Sequence, residues 1–228
     1  MAQPLIALVG GDEFRPPDDD LDRYLLERLG RDVPRVAILP TAARDAPRLA
    51  AEHGVRHFQT LGADAIAVMA VDKRSADDER LVAELDGVDL AYLAGGDPLF
   101  LLETLRDSLL WRRLTSALPE GCAIAGSSAG AMVLGQTMGY QGKWTEALGL
   151  LPGICALPHF QEWGREALPR LEKRSSERGL TLLGIDGATG CVGRGRDWEV
   201  RGPGVVTVIR GGASRVFRSG EHITLGDA

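Results

Sequence analysis

Two adjacent serines, Ser127 and Ser128, lie in the stretch "GCAIAGSSAGAMVLG" (residues 121–135), which has almost no side-chain bulk around them. The pattern G-x-S-x-G is typical of a sharp turn from a strand into a helix that exposes the serine hydroxyl for nucleophilic attack. Such a turn requires very small residues two positions before and two positions after the serine. Ser128 has Gly126 and Gly130 at those positions, whereas Ser127 has alanines. The spacing therefore predicts Ser128 as the nucleophile of an acyl-transfer reaction.

A serine nucleophile also needs backbone N–H groups that stabilise the negative charge developing on the attacked carbonyl oxygen. The N–H of Ala129 would face the same side as the Ser128 hydroxyl, at the start of a helix. We expect the second donor in the loop "AGGD" (residues 94–97), because glycine lets the backbone approach a reacting carbonyl. We further hypothesise that Asp97, in the same loop, favours a substrate with a free amino group.

The serine needs a general base, and four histidines are available. His159 follows Pro158 at the end of an apolar run, which places it at the sheet edge beside the serine turn, and we predict it as the base. His53 and His57 lie four residues apart in "EHGVRH"; without an H-E-x-x-H pattern or a third ligand nearby, they predict a solvated helix face rather than a metal site. His222 lies in a predicted terminal strand.

These residues follow short apolar runs. Because the residues must meet in one site, we expect the runs to be strands of one sheet. Most of the runs lack polar alternation, as is typical of strands buried on both faces of a parallel sheet. Helical patterns separate them, so the sequence predicts an α/β fold, a doubly wound and mostly parallel sheet with helices on both faces, whose loops at the carboxyl ends of the strands carry the site. The predicted strands span residues 5–11, 35–41, 64–71, 89–97, 122–126, 154–160 and 181–186.

Three helices have recognisable ends in the sequence. One spans residues 18–30, from aspartate caps to Gly30, and another spans residues 75–87, opened by a capping box of Ser75 and Asp78. A third spans residues 163–179 and contains Pro169, which predicts a kink or a late start. Beyond residue 187 the short β runs broken by Gly and Pro predict C-terminal antiparallel hairpins added to the sheet. No linker is evident, so residues 1–228 are predicted to form a single domain.

Composition narrows the classes of function. The formal net charge is −6 and the pI is about 5.3, which argue against nucleic acid or an anionic membrane as partner. No apolar run approaches the roughly 20 residues of a membrane-spanning helix, and the N-terminus lacks the pattern of a signal peptide. The three cysteines, Cys122, Cys155 and Cys191, are widely spaced in apolar contexts, and no pair has metal-ligand spacing. We expect a cytoplasmic protein without a disulfide framework, metal or cofactor.

Four segments together resemble the S51 serine peptidases, which include aspartyl dipeptidase (peptidase E) and cyanophycinase. They are "YLAGGDPLFLLETL", "AIAGSSAGAMVLG", "LGLLPGICALPHF" and "LLGIDGATG", in the family's order and roughly its spacing. The resemblance implies a fold like that of the class I glutamine amidotransferases, a flavodoxin-like arrangement. It implies Ser128 as nucleophile, His159 as base, and Gly96 and Ala129 as the oxyanion-hole amides. Arg165 falls near a family arginine that helps to bind an acidic substrate group.

The chain departs from this family at one important position. The family usually has a glutamate directly after "GID" as the third triad member, and this chain has Gly187 there. Asp186, one residue earlier, is the leading substitute, although a one-residue step along a strand reverses the side-chain direction. Glu146 could reach the histidine from a loop, or His159 could lack an acid altogether.

The sequence thus predicts a serine peptidase that hydrolyses amide bonds of short peptides through an acyl-enzyme, as an exopeptidase or dipeptidase. One alternative is an α/β-hydrolase-type esterase, which would use Ser128, then Asp186 or Asp197, then His222. Another is a catalytically weakened, peptide-binding pseudoenzyme, which the glycine at position 187 favours. The expected partner is a short peptide substrate; a homodimer is left open, since the sequence does not give the oligomeric state.

Overall fold

The computed structural model describes residues 3–15 and 19–225. Over these residues the chain forms fourteen strands in three sheets. The strands are β1 (Leu5–Val9), β2 (Arg35–Leu39), β3 (Asp64–Ala67), β4 (Leu90–Leu93), β5 (Ala123–Ser127), β6 (Thr137–Tyr140), β7 (Lys143–Glu146), β8 (Ile154–Leu157), β9 (Thr181–Ile185), β10 (Gly190–Arg194), β11 (Asp197–Arg201), β12 (Val205–Arg210), β13 (Ala213–Arg218) and β14 (His222–Thr224).

Eight α-helices alternate with the strands in the described part of the chain. They are α1 (Asp19–Leu29), α2 (Pro47–Thr60), α3 (Lys73–Ala76), α4 (Glu79–Ala83), α5 (Pro98–Leu105), α6 (Leu109–Ala117), α7 (Ala129–Leu134) and α8 (Phe160–Arg178). A short 3-10 helix, Leu118–Glu120, follows α6. None of the described helices combines the length and the apolar character that crossing a lipid bilayer would need.

The central sheet has eight strands in the order β14-β11-β10-β1-β5-β4-β2-β3. The pairings from β1 to β3 through β5, β4 and β2 are parallel, and β10, β11 and β14 extend the sheet by antiparallel pairing. The predicted α/β fold with C-terminal antiparallel strands is therefore confirmed. Val9 pairs with Ser127 and Leu93 pairs with Gly126, so β1, β5 and β4 end at the same edge. This edge carries the predicted nucleophile.

A second sheet of four strands, in the order β13-β12-β9-β8, corrects one prediction. The apolar runs at residues 154–160 and 181–186 were expected to lie in the same sheet as the others, which is wrong: β8 and β9 pair with each other in parallel, and β12 joins β9 antiparallel. A continuous apolar run indicates a buried strand, but it does not specify which sheet buries it. β6 and β7 form a separate hairpin.

The helix starting near residue 75 is also corrected. Two short helices, α3 and α4, replace the single predicted helix over residues 75–87. Asp72 caps α3 by accepting a hydrogen bond from the Ser75 N–H at 2.7 Å, so Ser75 is the last residue of a capping box, at N3, and not its first. Asp78 instead caps α4. The helix α1 starts at Asp19; the predicted start, residue 18, lies outside the described residues.

Three apolar clusters show how the layers pack. α1 and α2 cover one face of the central sheet, where Leu25 and Phe58 are fully buried. α5, α6 and α7 cover the other face, and the same cluster continues into the second sheet. α8 covers the far side of the second sheet and retains Pro169 within its span; it ends, as predicted, at Gly179, which is left-handed. The strand edge carrying Ser128 thus has packed layers on both sides.

All three cysteines are buried and free. Burial raises the pKa of Cys122 to about 11 and those of Cys155 and Cys191 to about 12. The reactive thiolate is therefore scarce in the folded chain at pH 8, whereas an unfolded thiol has a pKa of about 8.5.

We expect iodoacetamide at pH 8 to leave the native chain unmodified and to modify three thiols per chain in guanidinium chloride. Mass spectrometry of the intact protein measures both results. Native modification of any one thiol on the time scale of the unfolded control would contradict the burial of the three cysteines. Because thiolates are disfavoured only in the folded state, stability should also decrease as the pH rises above about 9.

Candidate active site

Ser128 lies at the junction between β5 and α7 with φ 48° and ψ −108°. A positive φ is uncommon for a residue other than glycine, and such strain collects at functional sites. The turn is closely packed: a Cβ atom added to Gly126 would lie 2.4 Å from the Gly130 carbonyl carbon, and one added to Gly130 would lie 2.3 Å from the Leu93 oxygen. The positions two residues before and two residues after Ser128 therefore require glycine.

Three consecutive carbonyls at the end of β1 hold the site together. The carbonyls of residues 9, 10 and 11 accept hydrogen bonds, in that order, from the N–H groups of Ser128 at 3.0 Å, His159 at 2.9 Å and Ala188 at 2.9 Å. The predicted nucleophile follows a strand of the central sheet, and the predicted base follows a strand of the second sheet. The carbonyls of residues 9 and 10 join them. Their relative position is thus fixed by backbone atoms.

His159 follows β8 and precedes α8 in a left-handed conformation, with φ 50°. Its imidazole lies against Gly11, since a Cβ atom added there would be 2.2 Å from Cε1 and 2.3 Å from Nε2. The side chain is 33% exposed, and its Nδ1 lies 3.8 Å from Oε1 of Glu162. In the described part of the chain Glu162 is the one carboxylate at ion-pair distance from this ring, but its own side chain is 66% exposed.

A cleft of about 290 Å³ contains both predicted catalytic side chains. Ten of the described residues line it, among them Ser128, His159, Gly96, Asp12 and Glu13. At the low end of the roughly 300–1,000 Å³ typical of ligand pockets, its volume suits a small substrate.

Backbone donors for an oxyanion are available beside Ser128. Ala129 is the first residue of α7, and a first-turn N–H has no partner within its own helix. In the facing loop the Gly95 N–H binds Glu13 and the Asp97 N–H binds the Ala42 carbonyl. Within this described loop the Gly96 N–H is thus the remaining donor.

The position of the family's usual glutamate is occupied from another part of the chain. A Cβ atom added to Gly187 would lie 2.1 Å from Oδ2 of Asp12 and 3.0 Å from Nε2 of Gln161. The Asp12 carboxylate, which lines the cleft, therefore lies where a side chain at residue 187 would begin. Asp12 itself has a φ of 60°, so its backbone is strained in this position.

The other two acids proposed from the sequence lie elsewhere. Oδ2 of Asp186 accepts a hydrogen bond from the Val205 N–H at 3.0 Å, and Asp186 does not line the cleft. Glu146 is exposed on β7, where its carbonyl accepts a hydrogen bond from Arg106. Asp186 stays a prediction as the third catalytic residue, and this geometry does not favour it.

The two predicted substrate-binding residues differ in their surroundings. Oδ1 of Asp97 caps α5 by accepting hydrogen bonds from the N–H groups of Leu99 at 3.0 Å and Phe100 at 3.1 Å. This gives Asp97 a structural task beside the cleft. Arg165 is exposed on α8 and does not line the cleft.

Of the remaining histidines, His57 differs from expectation. His57 is not solvated: its side chain is 8% exposed and its Nε2 lies 2.8 Å from Oδ2 of the fully buried Asp22. Burial raises the pKa of Asp22. His53 is exposed on the same helix, as expected, and it lines the cleft. A cluster of three or more His, Cys, Asp or Glu side chains able to hold a metal ion does not occur among the described residues.

His222, the base of the esterase alternative, is too far from Ser128. It lies on β14, the edge strand, and its Nδ1 is 3.0 Å from Asp197. Four strand spacings separate β14 from β5, which amounts to roughly 19 Å. The structure therefore brings His159, and not His222, to the predicted nucleophile.

Asp12 and Glu13 were missed in the sequence, although a signal was present. They follow the "LIALVGG" run directly, so they lie at the carboxyl end of β1. What the sequence did not reveal is that β1 is the neighbour of β5. That neighbourhood places the two carboxylates beside Ser128.

Comparison with known proteins identifies the family. Residues 5–198 match the model of peptidase family S51. The chain belongs to peptidase family S51. Cyanophycinase of Synechococcus elongatus is 29% identical over 222 residues, covering 90% of this chain and 67% of the relative. The uncharacterized peptidase YgaJ of Bacillus subtilis strain 168 is 33% identical over 158 residues, covering 69% of this chain and 65% of the relative.

A solved structure confirms the fold of this S51 chain. The crystal structure of a peptidase from an acI-B1 Actinobacterium superposes with a TM-score of 0.84 at 27% identity, covering 98% of each chain. Membership of S51 makes the chain a serine-type peptidase, a hydrolase whose substrates are peptides. The predicted resemblance is thereby confirmed.

Proposed function

We propose that this S51 chain hydrolyses amide bonds of short peptides, as an exopeptidase or dipeptidase, with Ser128 as nucleophile and His159 as general base. The observation that carries the proposal is the pair of strained residues, Ser128 at φ 48° and His159 at φ 50°, bound through adjacent β1 carbonyls and lining one cleft. The strand-to-helix turn at Ser128 has the properties of a nucleophile elbow. The small cleft favours a short substrate.

The reaction requires two displacements at one carbonyl carbon. The Ser128 hydroxyl proton passes to His159 while Oγ bonds to the carbonyl carbon, and the oxyanion is held by the N–H groups of Gly96 and Ala129. His159 then gives its proton to the amine as the C–N bond breaks. Water, deprotonated by His159, releases the acid and restores Ser128.

The third catalytic group in this proposal is Asp12. A triad acid holds the imidazole in orientation and stabilises the imidazolium that forms during attack. Asp12 supplies a carboxylate at the place where a side chain of residue 187 would begin, in the same cleft as His159. Glu162 is nearer to Nδ1, but it does not line the cleft, whereas Asp12 does. Asp12 thus supplies the triad carboxylate that Gly187 lacks.

A fluorophosphonate probe tests the proposal without knowledge of the substrate. Attack by Ser128 Oγ forms an O–P bond, expels fluoride and leaves the hydroxyl proton on His159. We expect one label per native chain, on Ser128 in the tryptic peptide, and no label after heat denaturation. EDTA should leave labelling unchanged.

A screen of dipeptides and tripeptides then addresses the substrate. Released amines are measured in the presence of EDTA, with probe-labelled protein as the inactive control. If native protein stays unlabelled while a control serine hydrolase reacts, Ser128 is not an active nucleophile and the pseudoenzyme alternative is supported instead.

A further inference from the structure

The second serine of the opening stretch has a partner of its own. Ser127 is fully buried, and its Oγ donates a hydrogen bond to Oε2 of Glu13 at 2.8 Å. The other carboxylate oxygen of Glu13, Oε1, accepts a hydrogen bond from the Gly95 N–H at 2.6 Å. One carboxylate therefore binds two loops that are 32 residues apart in sequence, counted from residue 95 to residue 127.

Each of these loops carries one proposed oxyanion donor. Ser127 lies two residues before Ala129, and Gly95 lies directly before Gly96. The loops are in contact, because a Cβ atom added to Gly95 would be 3.2 Å from the Ser128 Cβ. The separation of the two donors thus depends on contacts in which Glu13 is the shared acceptor.

The position of Glu13 is itself held from the core. Its neighbours Asp12 and Phe14 both have positive φ, at 60° and 63°. The Phe14 ring packs against Tyr92 with centroids 5.1 Å apart and against His57 with centroids 5.7 Å apart. Strained backbone persists only where surrounding packing determines it, so these anchors aim the Glu13 side chain.

We propose that Glu13 and Ser127 are positioning residues that set the spacing of the two oxyanion donors, Gly96 and Ala129. The inference rests on the proposed function, since it gives those amides their role. Neither Glu13 nor Ser127 exchanges a proton with the substrate. They act through the loops, by a pair of hydrogen bonds to the two oxygens of one carboxylate.

The expected loss of rate follows from the known effects of removing or displacing an oxyanion-hole donor. Loss of one donor lowers rates by about 10²- to 10³-fold, and a misplacement of about 1 Å costs about 10²-fold. We expect Ser127→Ala, which removes one of the two bonds, to slow phosphonylation of Ser128 about tenfold, and Glu13→Ala, which removes both, about 100-fold. Glu13→Gln should stay within about threefold, because the amide oxygen accepts from Gly95 and the amide nitrogen donates to Ser127.

The experiment measures the second-order rate of fluorophosphonate labelling at Ser128, because the phosphonyl oxygen occupies the oxyanion hole during attack. Ser175→Ala is the matched control: Ser175 is also fully buried, and its Oγ donates to the Leu180 carbonyl at 2.8 Å, away from the cleft. Thermal unfolding of every variant gives the loss of stability. Once a peptide substrate is identified, the variants should lower kcat with little change in KM.

The outcomes separate the two proposals. Slow labelling by Ser127→Ala and Glu13→Ala, recovery in Glu13→Gln and normal labelling by an equally destabilised Ser175→Ala support the positioning role. Labelling by Ser127→Ala at the wild-type rate, or equal slowing by Ser127→Ala and Ser175→Ala, overturns it even if Glu13→Ala does not fold. Wild-type protein that takes no label counts against the proposed function itself.

Discussion

Replacing Ser128 with alanine is expected to lower kcat/KM for peptide hydrolysis by about 10⁴- to 10⁶-fold, because no other hydroxyl or thiol side chain lines the described part of the cleft. The strained backbone that Ser128 adopts accepts alanine no worse than serine, so the fold should survive. His159→Ala should cause a loss of similar size, since nucleophile and base act as a unit and their removal is not additive. Steady-state kinetics on the best peptide of the screen measure both effects.

The control for these variants is His222→Ala. His222 is exposed on the edge strand and lies roughly 19 Å from β5, so its removal should leave kcat/KM unchanged. Circular dichroism and thermal unfolding establish that all variants fold. Selective loss of activity in His222→Ala, with His159→Ala still active, would support the esterase arrangement and reject the site proposed here.

The second large effect is expected at Asp12. Asp12→Asn keeps the size of the side chain but removes the charge that stabilises the imidazolium, and we expect kcat to fall by about 10³- to 10⁴-fold. Asp186→Asn and Glu162→Gln test the two rival carboxylates by the same measurement and should cost much less. A greater loss in either of them would transfer the role of the acid from Asp12 to that residue.

An exchange of positions gives a sharper test. Gly187→Glu alone should be inactive or unstable, because its Cβ would lie 2.1 Å from Oδ2 of Asp12. The double variant with Asp12→Gly removes that clash and places glycine at a left-handed position, where it is well tolerated. We expect the double variant to recover at least tenfold in kcat over Asp12→Gly alone, about 1.4 kcal/mol of transition-state stabilisation. If a folded double variant does not recover activity, Asp12 does not act as the triad acid.

Local sequence patterns predicted those parts of the site that depend on local geometry. The glycine spacing predicted Ser128 as the nucleophile, and the strand-end position of His159 predicted it as the base; the structure places both side chains in one cleft. Likewise, the buried strands and α1 and α8 are evident from apolar periodicity and end signals.

The rest of the site depends on which strands are neighbours, and apolar runs do not encode that. Asp12 and Glu13 matter because β1 lies beside β5, and β8 and β9 were misplaced because a second sheet buries them equally well. His57 looked solvated because its partner, Asp22, is 35 residues away in sequence. In each case the deciding contact is long-range.

The three carbonyls at the end of β1 determine what mutagenesis can detect at this site. Replacing a side chain does not remove a carbonyl, so an alanine scan would pass over the bonds that join Ser128 and His159. Gly10 and Gly11 are exceptions, because a Cβ atom added to Gly10 would lie 2.1 Å from the Asp186 carbonyl oxygen and one added to Gly11 would lie 2.2 Å from the imidazole. Amide-to-ester substitution at residue 128 or 159 deletes the N–H donor and leaves the side chain intact. It would therefore test these backbone hydrogen bonds directly.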